Sequence, residues 1–457
     1  MLVVIVALGL TARLHEAGYN FDGDEVFSVQ LAGRSMPEVI TQSLKDTPHP
    51  PLHNILLHLW IKAFGASERS VRLMSVMFSG AFLLLSFRLL RLLMANWLAL
   101  GMTGIFALSP LFVYYGLQAR PYALIEFLAA ANLLSFLKVI DEPRNTRIAI
   151  LWAVSCTLLL YAQYLGALII AIEIGFALLF FAKSDRLSIF LFGSAASALI
   201  VPWMIAAMGT AVAGGDDPLP QILWMEPTTL KNFMWFYVSI FGDCPWLQSR
   251  WLLFIFAFLG AASIIRLFIY RKLPVKHLFF LCIGLGFPLM VYFISVFGPK
   301  PIFAERQLLG GAIGFVVVLG LCIASLPRTL GLPVLLALLL WTSTGLPGSF
   351  LENSNPPWRN LAAYIDGHYG SRTVATQEDW IMEPLAYYRG KGPVALWQED
   401  ADRGKYEHDF IFVCRPKRCS DIESDDYNSR RSLLATWQWG GEKKLFLYEI
   451  TGIAAGQ

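Results

Sequence analysis

The chain of 457 residues is too apolar and too sparsely charged for an ordinary soluble protein. Hydrophobic residues make up 56% of it and charged residues 15%, whereas a soluble domain averages about 25% charged residues. Its net charge of +3 is small, so the sequence predicts no nucleic-acid partner. The apolar residues come in long runs rather than in alternation, which predicts a polytopic α-helical protein embedded in a lipid bilayer.

Eleven apolar runs approach the length of about 17–25 residues that a helix needs to cross a membrane. They lie at 1–13, 73–92, 97–115, 121–138, 148–163, 165–182, 187–208, 251–268, 277–297, 307–326 and 331–346. The first run is short, and it lacks the basic leader of a cleaved signal peptide. Either the chain is read from an internal Met, or Arg13 extends to the lipid headgroups.

Basic residues are unevenly distributed between the two sides of these runs. Lys and Arg are frequent in the connections near 138–147 and 266–276 and scarce in the opposite ones, which places the basic side in the cytoplasm. The other side then faces the exterior, or the periplasm of a cell with an inner membrane. The segments predicted to face outward are the first loop at about 14–72, the turn at Arg120, the loops at 209–250 and 298–306, and the C-terminal tail.

The first outward loop is too long to be a simple connector. It is predicted to hold a capped amphipathic helix at 35–43 and a second helix at 52–64. Before them come Asp22, Asp24 and Glu25, immediately after the first apolar run. Charges so close to hydrocarbon are costly unless they are paired or have a function. We expect Asp24 and Glu25 to be functional, whereas a solvated position in a turn explains Asp22 equally well.

Histidine and cations mark three further outward sites. Prolines on both sides of His49 fix the backbone and hold this residue out of a helix. Taken alone, the stretch predicts no more than the start of a helix. Arg120 is followed by Pro121 and Tyr122 at a turn, and Lys300 and Arg306 bracket a proline-rich loop. Each cation could simply attract ordinary lipid headgroups. Together they predict an outward phosphate site, because a planar guanidinium binds phosphate in a bidentate manner.

From about residue 347 charges become frequent and the apolar runs shorten. We therefore divide the chain into a membrane module, 1–346, and a small outward α/β domain, 347–457. Strands are predicted at 372–376, 394–397, 409–413 and 444–450, and helices near 358–364, 380–388 and 429–437. Cys414 and Cys419 form a local disulfide in an oxidising compartment, or remain two free thiols.

The outward motifs resemble those of the GT-C superfamily of glycosyltransferases, both in their order along the chain and in the side of the membrane on which they are predicted to lie. The resemblance is narrowest to the protein mannosyltransferases and the lipid A aminoarabinose and galacturonosyl transferases. It rests on Asp24-Glu25, on His49-Pro50-Pro51-Leu52, on Glu68-Arg69-Ser70-Val71-Arg72-Leu73, on the turn Gln118–Leu124 and on the loop Pro301–Leu309. The sequence departs from the group at Gln163, where His is frequent, and at Gln307, where Tyr is common.

The resemblance implies an inverting transfer of a sugar from a polyprenyl-phosphate carrier to a lipid, glycan or protein acceptor at the outer face. A phosphate leaving group needs cationic neutralisation rather than protonation, which suits Arg120, Lys300 and Arg306. One carboxylate then suffices as the base, and Asp24 is preferred. Glu25 would bind a sugar hydroxyl, orient the helix or pair with an arginine. The expected substrate-binding residues are Asp22, His49, Tyr122, Arg69 and Arg72.

No cofactor is expected, and no metal site is assigned. A divalent cation held by Asp22, Asp24 and Glu25 is the alternative, which the resemblance to a metal-independent branch disfavours. The rival function is a transporter or flippase of a lipid-linked saccharide. It would need ionisable residues within the membrane, for which Glu126 and Glu173 are the candidates.

Overall fold

The computed structural model describes residues 1–46, 49–214, 227–242, 274–396, 410–416, 431–439 and 443–450. The chain forms two compact units. The first contains Met1–Ala17 and Leu31–Ser349, and the second contains Gly18–Gln30 and Phe350–Gln457. The predicted boundary after residue 346 stays a prediction, and a short segment of the first predicted loop belongs to the second unit.

The first unit is helical. The helices of the chain, in order and with those of both units, are α1 (Leu2–Leu14), α2 (Gly23–Ala32), α3 (Met36–Lys45), α4 (Leu52–Phe64), α5 (Glu68–Arg91), α6 (Asn96–Leu108), α7 (Pro110–Leu117), α8 (Tyr122–Asp141), α9 (Thr146–Ala162), α10 (Gly166–Phe180), α11 (Lys183–Ala198), α12 (Val201–Gly214), α13 (Leu230–Ser239), α14 (Val275–Leu281), α15 (Phe287–Phe297), α16 (Leu309–Ala324), α17 (Arg328–Gly345), α18 (Leu351–Ser354), α19 (Trp358–His368) and α20 (Asp379–Tyr388). A π-helical segment, Cys282–Gly286, joins α14 to α15.

Within the described residues, five helical segments are long and apolar enough to cross a membrane, and a bent pair, α6 with α7, makes a sixth. Four shorter apolar helices accompany them. A multi-pass helical membrane protein is therefore confirmed, whereas the predicted number of eleven spans is not. The predicted run at 251–268 lies outside the described residues.

The break between α6 and α7 is held by a buried arginine. Pro110 starts α7, and the two helices meet at a bend of 55°. A bend leaves backbone carbonyls without intrahelical donors, and the Arg13 guanidinium supplies them. It donates to the carbonyls of Ala107 (3.1 Å) and Phe112 (2.9 Å) and to Gly9 on its own helix (2.9 Å). Arg13 is fully buried, so the alternative in which it reaches the headgroups is wrong.

The second unit contains a five-stranded sheet. Its strands are β1 (Val374–Thr376), β2 (Val394–Leu396), β3 (Phe410–Cys414), β4 (Arg431–Trp439) and β5 (Lys443–Ile450), in the spatial order β2-β1-β3-β5-β4. β1 is parallel to β2 and β3, whereas β5 is antiparallel to β3 and β4. Helices α19 and α20 bury Trp358, Leu361 and Leu385 against the sheet residues Val374 and Ile411.

One predicted element of this unit is wrong. A helix is predicted near 429–437, but Arg431–Trp439 is a strand that pairs with β5, with a bulge between Leu433 and Ala435. Local propensity is weak compared with a continuous ladder of backbone hydrogen bonds, so the tertiary pairing decides. Cys414, at the end of β3, is disulfide-bonded. Its predicted partner, Cys419, lies outside the described residues.

Candidate functional site

The predicted acidic residues form the start of α2 in the second unit. Asp22 caps the helix: its Oδ1 accepts from the backbone N–H of Glu25 (2.8 Å), and its own N–H donates to Glu25 Oε2 (3.2 Å). This reciprocal pair is a capping box, which satisfies donors that a helix start leaves exposed. Glu25 is fully buried, whereas Asp24 is exposed in the first turn. Asp22 and Glu25 thus take part in the helix cap, and Asp24 is the exposed carboxylate of the three.

Four contacts within the second unit fix this segment. Asn20 donates to the carbonyl of Pro356 (2.9 Å), and the Tyr19 hydroxyl donates to that of Asn355 (3.1 Å). The N–H of Phe21 donates to the hydroxyl of Tyr388 on α20 (2.7 Å). The Phe21 ring also lies edge-on to that of Tyr387, with centroids 6.0 Å apart. These contacts join residues more than 330 positions apart in sequence, and no sequence pattern indicated them.

In the first unit, the structure brings together two predicted residues, His49 and Arg120. Arg120 Nη2 lies 3.2 Å from His49 Nε2, and His49 Nδ1 lies 3.1 Å from Asp46 Oδ1. Because arginine can only donate, Nε2 must accept, and the imidazole proton is then on Nδ1 and directed to Asp46. Asp46, which the sequence analysis missed, thus fixes the tautomer that lets His49 hold the guanidinium of Arg120.

Two buried polar side chains lie beside this cluster. His53, on the first turn of α4, is 2% exposed, and Tyr122, after the Arg120 turn, is 4% exposed. Among the described residues, the Tyr122 hydroxyl has no hydrogen-bond partner. Burial, reinforced by the Arg120 charge, lowers the pKa of His53 to about 3, although a hydrogen bond with Asn54 opposes the shift. His53 is therefore a neutral imidazole.

We expect the burial of His53 to destabilise the protein in acid. Its folded-state pKa of about 3 lies below the ordinary value of about 6.5, so the unfolded state binds more protons between these two values. The free energy of unfolding then falls as the pH drops through this window, by at most about 1.4 kcal/mol per pH unit. His53→Asn should make the melting temperature less dependent on pH there. The exposed His368, replaced in the same way, is the control, and equal slopes for wild type and His53→Asn would contradict the expectation.

The loop before α16 carries the other two predicted cations. Ser295 Oγ accepts from the backbone N–H groups of Ile302 (2.8 Å) and Phe303 (3.1 Å), which ties the loop to the end of α15. Lys300 and Arg306 are both half-buried. Burial raises the pKa of Glu305, which lies between them in sequence, although a hydrogen bond with Ser239 opposes the shift.

The two positions at which the sequence departs from the group it resembles are bonded to each other. Gln163 Nε2 donates to Gln307 Oε1 at 2.7 Å and to the Gln307 backbone carbonyl at 3.2 Å. An amide pair thus joins the end of α9 to the turn that carries Arg306. The two departures are a matched pair rather than two independent losses.

A tyrosine connects Arg306 with the Arg120 turn. The ring of Tyr115 lies edge-on to that of Tyr122, with centroids 5.0 Å apart, and its electrostatic neighbours include Glu305 and Arg306. Of the other predicted residues, Arg69 is exposed on the first turn of α5. Arg72 is fully buried and donates to the Ala17 carbonyl (3.4 Å). The substrate-binding roles of both arginines stay predictions.

No group of three His, Cys, Asp or Glu side chains with the geometry of a metal site occurs among the residues that the structure describes. The arrangement in the first unit offers arginines and a neutral imidazole beside aromatic rings. Guanidinium groups of this kind suit an anionic headgroup next to an apolar chain.

Comparisons with known proteins bear on the class of this protein. The family model of dolichyl-phosphate-mannose-protein mannosyltransferases matches residues 48–206. No curated protein matches the chain in sequence. Among solved structures, the chain is similar to ArnT from Cupriavidus metallidurans bound to undecaprenyl phosphate. The identity is 10% and the TM-score 0.63, over 100% of this chain and 99% of ArnT.

Two further structures are similar over parts of longer proteins. The oligosaccharyltransferase AglB from Archaeoglobus fulgidus, in complex with an inhibitory peptide and a dolichol-phosphate, has 14% identity and a TM-score of 0.54, covering 86% of this chain and 64% of AglB. The arabinofuranosyltransferase AftD from Mycobacteria has 15% identity and a TM-score of 0.51, covering 100% of this chain and 42% of AftD. The resemblance to GT-C glycosyltransferases is confirmed. At identities of 10–15% the solved structures show a shared fold, and the family model adds a sequence match over residues 48–206.

Proposed function

We propose that this protein is an inverting glycosyltransferase. It moves a sugar from a polyprenyl-phosphate carrier to a lipid, glycan or protein acceptor at the outer, periplasmic face of the inner membrane. The uneven distribution of Lys and Arg supports this orientation. The observation that carries the proposal is the exposed carboxylate of Asp24 in the first turn of α2.

In the proposed reaction Asp24 takes the proton of the acceptor hydroxyl as that oxygen attacks the anomeric carbon. The bond between this carbon and the phosphate oxygen breaks, and the phosphate leaves with the electron pair. Arg120, Lys300 and Arg306 neutralise the charge that develops on it. Glu25 holds Asp24 in place through the helix cap. We propose no cofactor, because a cation at the acidic cluster would compete with the capping bonds of Asp22 and Glu25.

The test is an assay in sealed membrane vesicles with a polyprenyl-phosphate donor that carries a radiolabelled sugar. Label that reaches an envelope lipid, glycan or protein while polyprenyl phosphate accumulates would support transfer. Label that crosses the membrane still attached to the carrier, without any transferred product, would overturn the proposal in favour of a flippase.

Arg306→Ala is expected to raise the KM for the donor about 10- to 100-fold, with a smaller effect on the KM for the acceptor. The reason is the loss of one charged hydrogen bond to phosphate, worth about 1.5–3 kcal/mol, at about 1.4 kcal/mol per tenfold change. Steady-state kinetics with each substrate varied in turn would measure this. The exposed Arg34, replaced by Ala, is the control, and equal effects on both KM values would count against a phosphate role.

A further inference from the structure

Trp380 lies beside the acidic helix start of the second unit. It is 36% exposed, at the first turn of α20. A Cβ added at Gly23 would lie 3.6 Å from the Cα and carbonyl oxygen of Trp380 and 3.7 Å from Glu383 Oε2. Asp24 is the next residue in the chain. The backbone of Trp380 and the carboxylate of Glu383 therefore flank the turn that carries the proposed base.

The side chains around the Trp380 indole are fixed before any ligand binds. The Arg415 guanidinium lies over the ring, 5.0 Å from its centroid. Arg415 is itself held by Glu378: Nε donates to Oε2 at 3.0 Å, and Nη2 donates to Oε1. The buried Trp358 lies edge-on to Trp380, with centroids 5.7 Å apart. A ligand that binds here therefore immobilises few side chains, which lowers the entropic cost of binding.

A single exposed aromatic residue is ordinary on a protein surface. An indole with a carboxylate and a guanidinium beside it is a more specific indication of a ligand. An indole face carries negative charge density, which attracts the weakly positive C–H groups of a pyranose ring. The carboxylate of Glu383 can accept hydrogen bonds from hydroxyl groups, and the half-exposed Arg415 guanidinium can donate them. An apolar face surrounded by such groups matches a sugar, which has C–H faces and a rim of hydroxyls.

We propose that Trp380, Glu383 and Arg415 form a subsite for a saccharide unit of the acceptor, with Glu378 holding Arg415 in place. A sugar ring lies against the indole, and the Glu383 carboxylate and the guanidinium bind its hydroxyls, so that the next hydroxyl of the acceptor reaches Asp24. The acceptor is then a glycan or a glycolipid rather than a peptide. This inference rests on the proposed transferase function and specifies the acceptor class.

The experiment measures binding of the full-length protein, in lipid nanodiscs, to an array of immobilised oligosaccharides and peptides. Wild type should bind oligosaccharides. Trp380→Ala should bind at least about tenfold more weakly and Arg415→Met should also be weakened, whereas Trp380→Phe should keep most of the binding. Trp235→Ala removes a tryptophan of similar exposure, 38%, and should bind as wild type does. Melting temperatures identify any variant that fails to fold.

Equal oligosaccharide binding by wild type and Trp380→Ala would overturn the inference. Binding of wild type to peptides alone would also overturn the inference. The same holds if wild type binds phosphorylated sugars and this binding is lost in Arg415→Met but kept in Trp380→Ala. The vesicle assay separates this failure from failure of the proposed function. If label is transferred to an acceptor while the array shows no role for Trp380, only the acceptor subsite is wrong.

Discussion

Asp24→Asn is expected to abolish sugar transfer while the fold and donor binding are retained. The amide has nearly the shape of the carboxylate but cannot take the proton of the acceptor hydroxyl. A positioned general base contributes about 10²–10⁴-fold to a rate, so kcat should fall by at least about 100-fold. Asp24 is exposed, and its replacement should therefore cost little stability. Release of labelled product measures the rate, and binding of labelled polyprenyl phosphate checks the donor site.

The neighbouring carboxylates give matched controls for this prediction. Asp22→Asn and Glu25→Gln each weaken the capping box, which should cost about 1 kcal/mol of stability without removing the base. Both variants should melt earlier than wild type and still transfer sugar. Wild-type turnover in Asp24→Asn would move the role of base to Glu25 or Asp22, and a larger loss of turnover in one of the two controls would identify which.

The positions of the helices could largely be predicted because long apolar runs have few alternatives to a helix in a bilayer. The run at 97–115 was predicted as one span, yet it is interrupted at Ser109 between α6 and α7. Pro110 indicates a new helix start in retrospect. The carbonyls of Ala107 and Phe112, on either side of this break, accept hydrogen bonds from the guanidinium of Arg13, which is far away in sequence. That compensation is a tertiary property, and no local pattern carries it.

Residues of the candidate site could be predicted where the pattern that marks them lies within a short stretch of sequence. Asp22, Asp24 and Glu25 stand out because three acids follow an apolar run. Their division into capping and exposed residues depends on helix geometry, and the predicted pairing of Glu25 with an arginine stays a prediction. Asp46 was missed because it gains meaning only when its neighbour His49 meets Arg120, 71 positions away.

Long-range pairing also relates the two departures from the group to each other. Taken singly, Gln163 and Gln307 each look like a loss of a functional side chain. They lie 144 positions apart and are bonded to each other. A single sequence shows both residues but contains no signal of the contact between them. The same holds for Trp380, whose place beside Gly23 follows from the packing of α20 within the second unit.

Arg13→Met is expected to have the largest effect on stability of any substitution in the first unit. Arg13 and Glu126 are both fully buried. A Cβ added at Gly116 would lie 3.0 Å from Arg13 Nε and 3.3 Å from Glu126 Oε2, so both side chains lie beside Gly116. The carbonyls of Ala107 and Phe112 would lose the guanidinium as a donor, and a hydrogen bond to a charged group contributes about 1.5–3 kcal/mol.

The double variant Arg13→Met with Glu126→Gln tests whether the two side chains interact, because the effects of independent sites on stability simply add. Melting temperatures of the purified protein, measured for both single variants and the double variant, complete the cycle. The same variants decide between a structural glutamate and a transport residue. If Glu126→Gln stopped movement of the lipid-linked sugar across vesicles while the melting temperature stayed at the wild-type value, Glu126 would act in translocation. A large stabilising coupling with Arg13, together with unchanged sugar transfer in Glu126→Gln, would instead make the pair a brace for the bend between α6 and α7.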